Sequence, residues 1–428
     1  MRKVLIITYY WPPFGGSGVQ RWLKFSKYLP ENGWKPIIFT PENPSFDVKD
    51  TNLLKDIHED VEICKFPIWE PYSIGQKIFG NHNSSNSGIL SNRKSSKSKF
   101  LNWIRGNFFI PDPKVFWVKP SIKFLKKKIS EENITHIIST GPPHSMHLIS
   151  LGLKKYNPEL KWIADFRDPW SNLDLLDEFH LTKRSRKKHV YLENQVLLNA
   201  DITLTVSETW KRSFLNLGSD NVQLITNGYD DDDFKFSKKQ NDKFIIGHFG
   251  LLNHLRNPKY LWKTLNDICQ DDVNFNDKLQ IRLAGNIDKN IIDEIKNFPY
   301  LNDKLSVLGY ITHQEVINEY NNSSLLLLLQ FNSNSGSGNY PGKIFEYFAA
   351  KKPILAFGPE KSDVESLINQ TNTGKFYNYD SLDINKLKDQ VLDVFKSYDK
   401  KSNLKSINID SFSRRNLTKN LSILLNNM

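Results

Sequence analysis

Cysteine is nearly absent: the 428-residue chain has two, Cys64 and Cys269, far apart and in no metal-like spacing. That excludes a disulfide framework and makes a reducing cytosol the default compartment. Long hydrophobic runs are missing as well. The longest obvious one, Leu325 to Leu329, falls far short of the ~20 residues that span a bilayer. The first apolar run, VLIITYY, is stopped by Pro12, Pro13, Gly15 and Gly16, and no cleavage-site pattern follows. Neither a spanning segment nor a secretory signal is expected, which places the chain in the cytoplasm. HExxH, GxSxG with a triad, the phosphate-binding P-loop and a Cys/His metal set are all lacking, so no metal site is expected.

What is present is a soluble globular composition, 39% hydrophobic and 25% charged, in a chain long enough for two or three domains. The formal net charge is +11, and the excess is clustered. Arg93, Lys94, Lys97, Lys99 and Arg105 form one group, Lys119, Lys123, Lys126, Lys127 and Lys128 a second, and KRSRKK at 183–188 a third. Such patches suit an anionic substrate, anionic lipid or nucleic acid, or are solvated faces. No nucleic-acid module accompanies them, so nucleic acid is not an expected partner. Aromatics and lysines mix through 100–129, which fits either an interfacial element facing anionic lipid or a helix packed inside the first domain. The Ser/Asn-rich stretch at 81–99 reads as a mobile loop.

Short apolar runs alternate with amphipathic stretches along the chain. Strands are expected at 4–9, 36–40, 61–66, 135–140, 161–166, 202–207 and 222–226. After the turn TNGYDDDDF (226–234), the pattern restarts at 244–250, 279–285, 305–310, 324–331 and 353–358. Runs apolar on both faces, separated by helices, predict an α/β chain of two doubly wound, largely parallel sheets. The expected organisation is a first domain over 1–228, a second over 229–410 and a terminal helix over 411–428. The acids of the turn offer a DxD that could bridge a diphosphate through a metal, but their place in the inter-domain turn favours solvated charge at the boundary.

Ligands of open parallel sheets bind beyond the carboxyl ends of the strands, and four strand ends stand out. Gly15 and Gly16 open the first helix, where amides can cradle a phosphate or glycine can simply serve the turn. GGSG does not match GxGxxG and no acid closes PIIFT, which disfavours a nicotinamide cofactor; no cofactor is expected. His144 follows two prolines in STGPPHSMH, where a stiff loop can hold an imidazole against a ligand, and His147 falls within the following helix. Asp165, Arg167 and Asp168 in DFRDPW are either a structural ion pair or a clamp for sugar hydroxyls. The fourth end is SLLLLLQFNSNSGSGNYPGKIFEYFAA. Its helix N-terminus plus Lys343 makes a phosphate site, and Glu346 three residues on could accept ribose hydroxyls. Phosphate and ribose together indicate a nucleotide. Arg256, after GHFGLLNHLR, could reach a second phosphate.

The glycine pair, PPH, DFRDPW and PGKIFEYFAAKKPILA, in that order across nearly the whole chain, resemble the family 4 glycosyltransferases, and among them the bacterial subgroup that builds surface polysaccharides. The resemblance implies a GT-B fold of two Rossmann-like domains facing a cleft, with the last helix returning to the first domain. It implies retaining, metal-independent transfer of a sugar from a nucleotide-sugar, UDP- or GDP-linked, to a glycan or polyprenyl-linked acceptor. Gly15 and Gly16 would approach the diphosphate and His144 the donor sugar. Arg256 and Lys343 would neutralise phosphates, Glu346 would hold the ribose, and backbone at Tyr310 and Ile311 would meet the base. Gly250 and Gly342 are counted on the same donor side, and Asp165, Arg167 and Asp168 on the acceptor side. Two positions depart from the family pattern: Gly338 stands where a first glutamate is usual, and Leu251 where an arginine is. The rival readings are a nucleotide-sugar epimerase of the same fold and a non-catalytic nucleotide-sugar-binding partner. Peripheral attachment to the inner face of the plasma membrane would run through 93–128.

Overall fold

The computed structural model describes all residues except 46–48, 71–95, 173, 235–241, 333 and 400–404. The chain forms two compact units, Met1–Thr226 with Arg414–Met428, and Asn227–Ser413.

The first unit is built on seven parallel strands: β1 (Arg2–Ile7), β2 (Trp34–Pro41), β3 (Glu62–Phe66), β4 (His136–Gly141), β5 (Lys161–Phe166), β6 (Ile202–Thr205) and β7 (Val222–Leu224). Their order in the sheet is β3-β2-β1-β4-β5-β6-β7. Its helices are α1 (Ser17–Tyr28), α2 (Ser96–Phe108), α3 (Val115–Glu131), α4 (Ser145–Tyr156), α5 (Lys183–Asn199) and α6 (Glu208–Asn216). Alternation along β1 explains the two-faced core. Leu5 and Ile7 join Trp117, Met146 and Trp162 on one side, while Val4 and Ile6 join Trp22, Phe25 and Ile38 on the other.

The second unit has six parallel strands: β8 (Phe244–Phe249), β9 (Leu279–Ala284), β10 (Leu305–Gly309), β11 (Leu325–Leu329), β12 (Ile354–Gly358) and β13 (Gly374–Asn378), in the order β10-β9-β8-β11-β12-β13. Its helices are α7 (Lys259–Asp271), α8 (Val273–Lys278), α9 (Lys289–Lys296), α10 (His313–Asn322), α11 (Lys343–Ala350), α12 (Asp363–Thr371) and α13 (Ile384–Asp399). The leucine run of β11 divides by parity. Leu325, Leu327 and Leu329 face the α7 side with Trp262 and Leu265, and Leu326 and Leu328 face Ile344, Phe345 and Phe348 of α11. The closing helix α14 (Arg414–Asn426) then packs Leu417, Leu421 and Leu425 into the α1 face of the first unit. Asp410–Ser413 stay with the second unit, where Phe412 packs against Phe345 and Phe348.

The fold is therefore the α/β, doubly parallel arrangement that the alternating pattern predicts, with one strand more. β13 was not expected because GKFYN is an edge strand of half-buried side chains with no apolar run. The predicted loop at 81–99 lies outside the described residues up to 95, and α2 begins at Ser96. Among the described residues no helix is long and apolar enough to cross a membrane.

Candidate functional site

Each sheet reverses its strand order once, between β1 and β4 in the first unit and between β8 and β11 in the second. The loops that leave those pairs diverge and open a crevice, the usual ligand position in such sheets. Every strand-end residue singled out from the sequence falls on one of these carboxyl edges.

In the second unit the crevice is floored by glycine. Gly250 (φ 151°) follows β8 and donates its N–H to the Ala284 carbonyl at 2.6 Å, and Gly285 (φ 106°) donates to the Gly309 carbonyl at 2.7 Å. A Cβ on Gly285 would lie 2.5 Å from the Gly250 oxygen, and one on Gly250 would lie 1.7 Å from Lys343 Nζ. Positive φ and the close approach together demand glycine at both places. The Lys343 ammonium thus rests directly over Gly250. Gly342, by contrast, has an ordinary helical φ of −52° and open space where a Cβ would go.

Lys343 feels the Glu346 charge but is bridged to no acid. Among the described residues neither it nor Arg256 makes a salt bridge to a carboxylate. Arg256, reached from the loop after β8, lies with its guanidinium 3.5 Å from the centroid of the Phe331 ring, and its Nε is buried without a hydrogen-bond partner. Burial, and secondarily the Arg256 charge, pull the Lys343 ammonium down to about 8. Burial likewise lowers Arg256 from its ordinary value. Two cations held near each other at a helix start, with donors unused, form a site for a polyanion. His248 beneath them adds no charge: burial, then Lys343, bring it down to about 3, and its Nδ1 bonds the Leu327 carbonyl at 3.1 Å.

Glu346 sits one turn along α11. Tyr320 Oη donates to one of its oxygens at 2.7 Å and His313 Nε2 to the other at 3.0 Å. Burial pushes this carboxyl up, but the His313 and Tyr320 hydrogen bonds and the Lys343 charge outweigh it and hold it below its ordinary value. The carboxylate therefore stays ionised, with lone pairs left for hydroxyl donors. His313 opens α10 directly after Tyr310, which is 88% exposed, and Ile311, which is half-buried. The loop after β11 is fixed from below by Gln330. Its amide donates to the Gly336 and Asn339 carbonyls at 3.1 and 3.0 Å and accepts from Ser362 Oγ at 2.7 Å. Sequence reasoning missed His313, Tyr320, Gly285 and Gln330. Only Gln330 left a signal, as the polar residue that ends five leucines.

Because the clash at Gly250 involves the mobile tip of a lysine, Gly250→Ala is expected to displace the ammonium while the φ of 151° costs the fold about 1–3 kcal/mol. Calorimetry should show nucleoside diphosphate binding weakened as much as in Lys343→Met, with little further loss when the two changes are combined.

In the first unit, Gly16 caps α1 with φ 113°. His144 caps α4, is 7% exposed and stacks on Trp170 with centroids 4.9 Å apart and planes 4° apart. Burial, then His147 and Arg167, hold its pKa well below the ordinary value, so the ring is neutral. The acceptor trio is corrected in part by geometry. Asp165 is fully buried and its oxygens are taken by Arg21 Nη2 (2.9 Å), Trp22 Nε1 (2.7 Å) and Thr140 Oγ1 (2.9 Å), so it has nothing to offer a sugar. Its ion-pair partner is Arg21, not Arg167. Arg167 donates instead to the carbonyls of Gly141, Gly18 and Pro142, tying the first turn of α1 to the end of β4 and the loop after it. Asp168 makes no protein hydrogen bond among the described residues, and burial raises its carboxyl against the opposing Arg167 charge.

Two Rossmann-like, parallel-sheet units with polar groups gathered at the strand reversals define the GT-B class. Residues 230–409 match the family model described as Glycosyl transferases group 1. That match lies within the second unit, which therefore carries the glycosyltransferase signature of the chain. Among solved structures, the chain is similar to a glycosyltransferase from Rickettsia africae (16% identity, 99% of this chain and 97% of that one, TM-score 0.60). It is also similar to a sucrose-phosphate synthase from Thermosynechococcus elongatus (12%, 100% and 99%, TM-score 0.61). A third is a mutant of S. aureus TarM in complex with fondaparinux, alpha-GlcNAc-glycerol and UDP (12%, 100% and 98%, TM-score 0.55). No curated protein matches the chain by sequence.

Proposed function

We propose that the protein is a retaining, metal-independent hexosyltransferase that moves a sugar from a UDP- or GDP-linked donor to a glycan or lipid-linked acceptor in bacterial surface polysaccharide synthesis. The observation that carries this reading is the pair Arg256 and Lys343, in salt bridge to no carboxylate among the described residues, with Lys343 set over Gly250 where the second sheet reverses. Their unused donors suit the two phosphates of a nucleoside diphosphate. Glu346 accepts the ribose hydroxyls, Tyr310 and Ile311 offer backbone to the base, and Gly342 leaves room at the helix start. Gly15 and Gly16 give the first unit a backbone that can approach phosphate, and His144 and Asp168 offer polar atoms to sugar hydroxyls.

Chemically, the site stabilises the leaving diphosphate as the glycosidic bond to it breaks, the term that usually dominates such catalysis. The diphosphate oxygen accepts the acceptor's proton in a front-face route. A thermal-shift screen of nucleotide-sugars tests the assignment. The true donor at a hundredfold excess over its dissociation constant should add about 2.7 kcal/mol of stability, followed by transfer to an acceptor glycan. No shift with any UDP- or GDP-sugar, or epimerisation of donor supplied alone, overturns it.

A pH dependence follows from Lys343. Its ammonium deprotonates near pH 8 in the free protein, and a bound diphosphate favours the charged form. Nucleotide affinity should therefore fall as pH rises through about 8, a loss that Lys343→Arg abolishes; a flat profile in the wild type contradicts this.

Membrane attachment through 93–128 is the remaining part of the proposal. Phe100 and Phe108 of α2 are 61% and 67% exposed, and Trp69 and Phe116 lie exposed in edge contact nearby. Lys119 and Lys123 are exposed, whereas Lys114 and Lys128 are paired with Glu70 and with Glu62 and Glu132. Co-sedimentation with anionic but not zwitterionic vesicles, weakened by Phe100→Ser/Phe108→Ser, is the expected result; equal binding to both vesicle types contradicts it.

A further inference from the structure

The loop that leaves β5 carries Arg167, Asp168 and Trp170, and helix α5 holds it. His189 and Glu193 stand four residues apart on one face of that helix, each 1% exposed. Glu193 Oε1 accepts from the Trp170 backbone N–H and Oε2 from that of Ser171, both at 3.2 Å. Glu193 forms no salt bridge among the described residues. Burial raises its carboxyl, and the hydrogen bonds from Ser171 and Trp170 oppose that rise. Apolar side chains would join α5 to the loop without desolvating a carboxylate. The polar contacts therefore add direction to the packing.

His189 supplies the second hold. Trp170 Nε1 donates to His189 Nδ1 at 3.0 Å. An indole nitrogen can only donate, so Nδ1 is the accepting nitrogen. Burial brings His189 down to about 4, so the ring is neutral and its proton is on Nε2. The two ring planes stand at 88°: His189 meets the indole at its edge and leaves the indole face to His144. That face lies 4.9 Å from the His144 ring, centroid to centroid, with planes 4° apart. The contacts of His144 with Phe166 and His147 are each tilted by 30°, and its Nδ1 has no hydrogen-bond partner. The stack on Trp170 is thus what sets the plane of the His144 ring.

We propose that His189 and Glu193 are positioning residues for His144: by fixing Trp170 at its indole edge and at its backbone, they set the orientation in which His144 meets a sugar. The catalytic consequence rests on the glycosyl-transfer reading; the orientation of the ring does not.

The test pairs NMR of the full chain with transfer kinetics. Leucine and asparagine have nearly the same shape, but only asparagine can place an acceptor where His189 Nδ1 stands. Glu193→Gln sets a donor against one of the two loop amides. In the wild type, His144 ring protons should be shifted upfield by the stacked indole, and His189 should carry its proton on Nε2. In His189→Leu and Glu193→Gln the upfield shift should shrink. In both, kcat should fall about tenfold at unchanged donor KM, in line with the roughly 10–100-fold by which partners orienting a histidine matter at metal sites. His189→Asn should keep the shift and most of the rate. The proposal is overturned by His144 shifts that stay as in the wild type in both disruptive variants, or by equal effects of His189→Asn and His189→Leu. A lower melting temperature with normal kcat would also overturn it, leaving a purely structural tie. A wild type that transfers no sugar, while the variants still unstack His144 as expected, would overturn the transfer reading alone.

Discussion

Lys343→Met should leave a protein as stable as the wild type, or more so, that transfers sugar about 10²–10³-fold more slowly. The loss follows from removing a buried cation aimed at the position where diphosphate charge develops. The stability follows from its sign. The folded protein lowers the Lys343 ammonium from its ordinary 10.5 to about 8. A base whose pKa falls on folding opposes folding below that value, and the penalty is relieved as pH rises between the two values. At neutral pH the charge is therefore a burden on the empty protein, and an unbranched apolar replacement lifts it. Lower rate with equal or higher melting temperature marks a residue held for function at some cost to the fold. Lower melting temperature with normal transfer would make Lys343 a structural residue.

Asp165→Ala should do the opposite. Asp165 and Arg21 are both essentially sealed from water, and Arg21 also donates to the Ile225 and Thr226 carbonyls at 2.9 and 2.8 Å. Removing the carboxylate strands a guanidinium, the Trp22 indole and the Thr140 hydroxyl in a dry interior. Losing one partner of a buried ion pair costs about 3–5 kcal/mol, which should lower the melting temperature by about 10 °C. The change should appear as unfolding, read by calorimetry, with donor KM unaffected in the folded fraction. A fully stable variant with weakened acceptor binding would restore Asp165 to the substrate.

The contrast between these two residues shows what the sequence carries. Lys343 was legible because its chemistry is local: a buried strand, a Gly/Ser loop, a proline and an apolar helix place a lysine at a helix start. Arg256 and Glu346 were readable for the same reason. Asp165 was legible as chemically active but not as to its partner, since Arg21 lies 144 residues away on the helix VQRWLKF, where an arginine reads as solvated face. The parallel strands declared themselves by being apolar on both faces, and β13 did not, because an edge strand need not be. Tyr320, His313 and His147 are set by tertiary approach between separate helices and strands, to which no local pattern corresponds.

The central claim is that Arg256 and Lys343 hold a nucleoside diphosphate. Calorimetric titration of UDP and uridine, and of GDP and guanosine, into the wild type and Arg256→Ala/Lys343→Met tests it most directly. In the wild type one diphosphate should bind far more tightly than its nucleoside, and in the double variant that preference should vanish while nucleoside binding persists. An undiminished preference for the diphosphate in the double variant would contradict the claim.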